Sequence, residues 1–179
     1  KFLNEGGVME GIQLWVNLPA KDKMVQPRYQ DVKSADIPVV QLENGGKLRV
    51  VAGQYGRKRG PVETQTEINA WQLSLNAGEG AKLEIPATHN ALIYLLDGQV
   101  KLNDNFNYEG PVMLTFRRND AEGITLEGVA AHTRVLILTG EPIGEPFKQY
   151  GPFVMNTQTE IMEAMRDYQM GKMGVYIDD

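Results

Sequence analysis

The amino-acid sequence predicts an all-β fold: an antiparallel sandwich or barrel with a short connector near its start and one C-terminal helix. Two observations predict it. The 19 glycines and nine prolines of the 179-residue chain are spread along it, the punctuation of many short elements joined by turns. Between Ala70 and Thr139, apolar runs recur every ~8 to 12 residues, a spacing that favours sandwiches and barrels over parallel βαβ units.

In chain order, strands are expected at Ile12–Asn17, Val39–Leu42, Leu48–Ala52, Ala70–Leu75, Lys82–Ile85, Leu92–Leu96, Val100–Leu102, Val112–Phe116, Ile124–Leu126 and Val135–Thr139. Trp71, Leu73 and Leu75 alternate with Gln72, Ser74 and Asn76, the period of a strand with one buried face. Leu92–Leu96 and Val135–Leu138 are apolar on both faces and are expected to be covered on both sides. Asp97-Gly98 reads as a tight hairpin turn joining Leu92–Leu96 to Val100–Leu102, since a type I′ turn needs positive φ at both central positions. A helical turn is expected within Ala20–Val25, between Pro19 and Pro27. The C-terminal helix starts at Thr157-Gln158-Thr159-Glu160, which has capping-box spacing. It continues through Ile161, Met162, Met165 and Tyr168 at helical intervals and stops at Gly171.

Composition narrows the function classes. With 42% hydrophobic and 23% charged residues the chain is ordinary globular material, neither disordered nor collagenous. Its 23 acidic and 18 basic residues give a net charge of −5, which disfavours direct nucleic-acid binding. There is no cysteine, so disulfides, thiolate ligands and thiol catalysis are excluded together. The longest apolar stretch, Ala91–Leu96, falls far short of the ~20 residues that span a bilayer, so no membrane association is expected. The opening at Lys1 lacks a signal-peptide pattern, which leads to an expected cytoplasmic location, and the missing initiator Met reads as a processed or truncated product.

Candidate chemistry is sparse. His89 and His132 are the two histidines, and neither has a second imidazole at ligand spacing, whereas a protein metal centre usually needs three or four side chains. Glu84, Glu109, Glu122 and Glu127 have no spacing that selects them as further ligands. Ser34 and Ser74, the only serines, sit in no glycine-flanked elbow, so no catalytic residue is assigned. Gly53–Pro61 is glycine-rich and locally basic. It lacks the ending of a phosphate loop, so it reads as a turn between strands, with Arg57, Lys58 and Arg59 as candidates for an anion or an acidic partner. Met162, Met165, Met170 and Met173 read as a core-facing stripe.

Gly11–Ala20, Lys23-Met24 and Pro27–Gln30 resemble the interdomain junction of pirin-family proteins. Gly140-Glu141-Pro142-Ile143-Gly144-Glu145-Pro146, followed by Tyr150–Thr157 and then Tyr168, Gly171 and Gly174, is similar to the C-terminal signature of the same family. Pirins are two-domain cupins, and the resemblance implies that this chain is the second half: a cupin-type β-barrel, the double-stranded β-helix or jelly roll. It implies residues 1–36 as the last strand of an N-terminal cupin plus the connector, and 37–179 as the C-terminal cupin with its helix. In the family an iron-type metal is held by three histidines and a glutamate of the N-terminal cupin, upstream of Leu14–Pro19. No residue here matches those ligands, so the resemblance implies no metal ligand and no cofactor in this chain. Pro86-Ala87-Thr88-His89-Asn90 looks like a degenerate cupin motif, which makes His89 a candidate pocket residue.

Some pirins are quercetin 2,3-dioxygenases and others are regulatory cofactors that bind proteins. The expected function is therefore a non-catalytic structural or interaction module. The alternative is one part of a metal-dependent flavonol dioxygenase whose active site lies in an N-terminal cupin. A third reading, a small-ligand binder using the barrel mouth, rests on barrel geometry. Ile12–Asn17 would have lost its barrel, so it is expected to add to the C-terminal barrel, pair with a second copy through residues 1–18, or meet a separate N-terminal half or another protein.

Overall fold

The computed structural model describes residues 5–117 and 123–173. In chain order the strands are β1 (Val39–Gln41), β2 (Lys47–Ala52), β3 (Gln54–Tyr55), β4 (Lys58–Arg59), β5 (Ile68–Leu75), β6 (Gly80–Leu83), β7 (Asn90–Asp97), β8 (Gln99–Leu102), β9 (Phe106–Glu109), β10 (Val112–Phe116), β11 (Ile124–Gly128), β12 (Thr133–Gly140), β13 (Lys148–Tyr150) and β14 (Phe153–Met155). One helix, α1 (Gln158–Gln169), follows.

By compactness the chain parts differently from a linear division at residue 36: residues 24–144 form one unit, and residues 5–23 with 145–173 form another. In the first unit the strands make a six-stranded sheet in the order β1-β2-β5-β12-β7-β10 and a four-stranded sheet in the order β6-β11-β8-β9. Every ladder within these two sheets is antiparallel. Strand period two sends Leu48 and Val50 of β2, Trp71, Leu73 and Leu75 of β5, Ile93 and Leu95 of β7, and Val135 and Ile137 of β12 to one face. There they meet Ala81, Leu83, Val100, Leu102, Ile124 and Leu126 from the smaller sheet in a single buried cluster. On the opposite face of β12 Leu136 is also buried, whereas Leu92 and Leu96 of β7 stay half-exposed, so the expected double covering is realised on one strand more than the other.

Three expectations are corrected. Asp97-Gly98 is not a hairpin turn: β7 and β8 belong to different sheets, and the chain crosses between them at Gly98. Gly98 has φ +82°, and the crossing is fixed by the Thr133 hydroxyl, which accepts from the Gln99 amide (3.2 Å) and shares its one proton between the carbonyls of Ala130 (3.0 Å) and Gln99 (3.2 Å). An Asp-Gly pair supplies a sharp reversal equally to a hairpin and to a corner, and only the partner strands decide which. Residues 12–17 form no strand, because among the described residues no ladder pairs with them, so they have not added to a barrel sheet. The sixth strand starts at Gly80, two residues before the expected Lys82, because Gly80–Leu83 aligns with Glu127–Ile124.

The second unit holds the connector turn at Ala20–Asp22, the β13–β14 hairpin and α1. Glu145 ties its segments together by accepting from the Ala20 amide (2.7 Å) and the Asn156 side chain (3.0 Å). Lys23 donates to the Asn17 side chain (2.7 Å) and the Val154 carbonyl (3.1 Å). The expected capping box is present: the Thr157 hydroxyl accepts from the Glu160 amide while the Glu160 carboxylate accepts from the Thr157 amide. Gly171 follows the helix with φ +72°, as its stop role requires. Ile161 is buried, but Met162, Met170 and Met173 are exposed, so the expected core-facing methionine stripe is not formed by these three.

Candidate binding cavity

The two sheets of the larger unit leave a seam between edge strand β1 of one and edge strand β6 of the other. A cavity of about 530 Å³ opens there, lined by Leu42, Glu43, Tyr55, Trp71, Lys82 and Glu84 among others. The β3–β4 hairpin reaches it from Gly53, whose φ of +74° and close approach to Asn69 exclude a side chain. A Cβ at Gly53 would lie 2.8 Å from the Asn69 Cα. Tyr55 on this hairpin meets Trp71 edge-on, with ring centroids 5.2 Å apart and planes at 83°. Its hydroxyl donates to the Lys82 carbonyl at 3.4 Å. Burial pushes the Tyr55 phenol above its ordinary 10.0, and the negative charges of Glu84 and Glu43 push the same way, so it is a hydroxyl donor at neutral pH. The buried indole N–H of Trp71 meets no acceptor among the described residues.

Behind the hairpin lies a chain of polar side chains. The Gln54 amide donates to Asn69 Oδ1 (2.9 Å), Asn69 Nδ2 donates to Thr139 Oγ1 (2.9 Å), and Thr139 Oγ1 lies 3.1 Å from His89 Nδ1. On the other side His89 Nε2 is 3.5 Å from Glu67 Oε1. Thr139 Oγ1 already accepts from Asn69, so the arrangement that pairs every donor has its hydroxyl donate to Nδ1 and leaves the ring proton on Nε2, toward Glu67. The His89 side chain is 1% exposed, so the network is sealed from solvent on the imidazole side. It acts on the cavity by positioning β3, and through it Tyr55.

The structure places the sequence-derived candidates as follows. His89 does not line this cavity; both its ring nitrogens face the network just described. Arg57, Lys58 and Arg59 are exposed on the β3–β4 hairpin, Arg57 in its turn and the other two in β4. Glu84 faces the cavity; Glu122 lies outside the described residues, as does Gly174. Among the described residues no three His, Asp or Glu side chains come together as a metal-holding group, and His132 sits in the separate turn before β12 with φ +59°. The described residues therefore do not supply the donor set of an iron-type centre, and no reaction step is derived through one. Tyr55 and Trp71 are not singled out as site residues in the sequence, where Trp71 reads only as one of a buried strand face. The glycines at 53 and 56 flanking Gln54-Tyr55 were the available signal for a tight hairpin projecting an aromatic ring.

Two antiparallel sheets face to face around one core, with the chain crossing repeatedly between them, define a cupin-type fold. The family described as the Pirin C-terminal cupin domain matches residues 70–174. The chain is 41% identical over 173 residues to "Putative quercetin 2,3-dioxygenase PA2418" of Pseudomonas aeruginosa, covering 96% of this chain and 59% of that protein. It is 37% identical to a "Pirin-like protein" of Solanum lycopersicum, covering 94% of this chain and 58% of the other. Among solved structures it resembles a quercetin 2,3-dioxygenase from Acinetobacter baumannii with a TM-score of 0.84 and 39% identity, over 91% of this chain and 56% of that one. The chain belongs to the pirin family. It spans about three fifths of the length of the curated relatives it matches.

Proposed function

We propose that this chain is a non-catalytic interaction module of a two-cupin, pirin-type protein, and that it binds a protein surface through its N-terminal segment. The observation that carries this reading is the segment itself: Val8 and Met9 are 97% and 83% exposed, and Trp15 is 66% exposed. Ile12, Leu14 and Val16 alternate as a strand does, yet join no ladder among the described residues. Apolar surface and backbone groups of this kind are stabilised when a second surface covers them. Beside Trp15 and Val16 lies a groove of about 410 Å³ that also includes Phe147, Val154 and Met155. A separate metal-bearing cupin, another protein, or a second copy through residues 1–18 would fit it. The reading places the module in the cytoplasm, off nucleic acid and membranes, without a cofactor of its own; no described helix is long and apolar enough to cross a membrane.

A second reading follows from the dioxygenase relatives: the chain is one part of a flavonol dioxygenase whose metal lies in another cupin. Both readings leave this chain without a metal of its own, so quercetin turnover after mixing with a metal-bearing cupin is what separates them. Elemental mass spectrometry after chelator-free size exclusion is expected to find no stoichiometric iron-class metal. One metal per chain together with quercetin turnover would overturn the non-catalytic reading. Light scattering is expected to show either self-association or a monomer that gains mass with a metal-bearing cupin. A monomer whose Trp15 stays quenchable in every such mixture would sink the interaction role.

A further inference from the structure

The cavity between β1 and β6 is independent of the partner surface, and its chemistry is specific. The geometry points to a binding site for a small zwitterionic ammonium compound, of the betaine or amino-acid class, held at the seam by Tyr55, Trp71, Glu43, Glu84 and Lys82. A cation is favoured where an aromatic face and carboxylates converge. Here half-buried Tyr55, packed edge-on against the buried Trp71 at 5.2 Å, lines the cavity together with Glu43 and Glu84. After burial, the charges of Glu84 and Glu43 also raise the pKa of the Tyr55 hydroxyl, as carboxylates close to it would. The hydroxyl proton is committed to the Lys82 carbonyl, which leaves the oxygen lone pairs and the ring to face a cationic group.

The opposite end of such a ligand is served by the same wall. Among the described residues, Lys82 brings an ammonium group that has no ion pair, and Trp71 brings a buried indole N–H without an acceptor. Lys82 in β6 and Glu84 just past its end both line the cavity, and two residues of extended chain span on the order of 7 Å. A molecule with an ammonium and a carboxylate a few atoms apart matches that pair in reverse sign. An anion alone meets two carboxylates, a cation alone meets Lys82, and a neutral isostere leaves both unanswered. The volume of about 530 Å³ admits a ligand of this size with water beside it.

The chain has two tryptophans, so Trp15→Phe leaves Trp71 as the only indole and a direct reporter. In that background, titration with glycine betaine is expected to give a saturable change in Trp71 emission. Tetramethylammonium and acetate should bind at least about tenfold more weakly, and neutral neopentyl alcohol should not saturate. Glu43→Gln with Glu84→Gln should weaken betaine about tenfold or more, and Lys82→Met should remove the preference for betaine over tetramethylammonium. Amide shifts at Gly56 and Gly80 in the unmodified chain give a second readout that does not depend on any variant. The proposal is overturned if betaine fails to saturate, if neopentyl alcohol binds equally, or if the glutamine variants bind unchanged. Saturable binding of a flavonol in place of betaine would overturn it too, by assigning the cavity to another ligand class. None of these outcomes depends on metal content, and the amide-shift readout leaves the N-terminal segment unaltered.

Discussion

Gly98 and Gly56 show how one residue type carries two different constraints. Both have positive φ, but a Cβ at Gly98 would lie 2.7 Å from the Thr133 Cα, whereas nothing lies within 4 Å at Gly56. Gly56→Ala is therefore expected to cost about 1 kcal/mol of backbone strain. Gly98→Ala should cost about 2 kcal/mol or more, because Thr133 and the sheet crossing must shift as well. Urea denaturation of the two variants measures the difference, and equal midpoints would refute it. Thr139 is constrained by hydrogen bonding rather than space. Thr139→Val keeps the shape but leaves Asn69 Nδ2 and His89 Nδ1 without their shared partner, so a loss of about 2 kcal/mol or more is expected by the same measurement. Because Asn69 also holds the Gln54 amide, the variant should in addition change Trp71 emission through Tyr55. A Val variant as stable as the parent would mean that the network is idle.

At the scale of the element, α1 depends on its first turn. The Thr157 side chain and amide, with a further contribution from the Asn156 amide, hold the Glu160 carboxyl below its ordinary 4.5. A carboxyl lowered by folding stabilises the helix above its unfolded value, and that contribution is lost as pH falls through the lower folded value. Far-UV circular dichroism is therefore expected to show α1 fraying as pH drops below about 4.5, with this acid limb missing in Glu160→Gln. Thr157→Ala should cost about 1 kcal/mol at neutral pH, where both halves of the box are otherwise made. An unchanged acid limb in Glu160→Gln would show that other carboxyls govern the helix.

For the whole molecule the informative contrast is between chain that is paired and chain that is not. β5 and β12 share an eight-residue ladder inside the six-stranded sheet, while residues 12–17 join no ladder among the described residues. Amide hydrogen exchange should be slowest in β5 and β12 and among the fastest at 12–17, because exchange follows the free energy of opening each hydrogen bond. Addition of a true partner should slow 12–17 and leave the two central strands unchanged. Slow exchange at 12–17 in a monomer would contradict the unpaired description and remove the observation on which the interaction role rests.

Much of this was legible from the residues. Val112–Phe116 is a strand from end to end as expected, and the capping residues of α1 are those its sequence advertises, because strand period and cap chemistry are local properties. Gly140–Pro146 and Tyr150–Thr157 likewise carried the family, since a motif survives without its surroundings. What stayed hidden was decided by partners distant in sequence. Asp97-Gly98 became a corner because β7 found β12 and β10 while β8 found β11 and β9. Ile12–Asn17 kept a strand pattern without becoming a strand because a ladder needs a second edge. The seam that gathers Glu43, Tyr55, Trp71 and Lys82 exists only once two sheets stack, since no local interaction brings these four side chains to one wall.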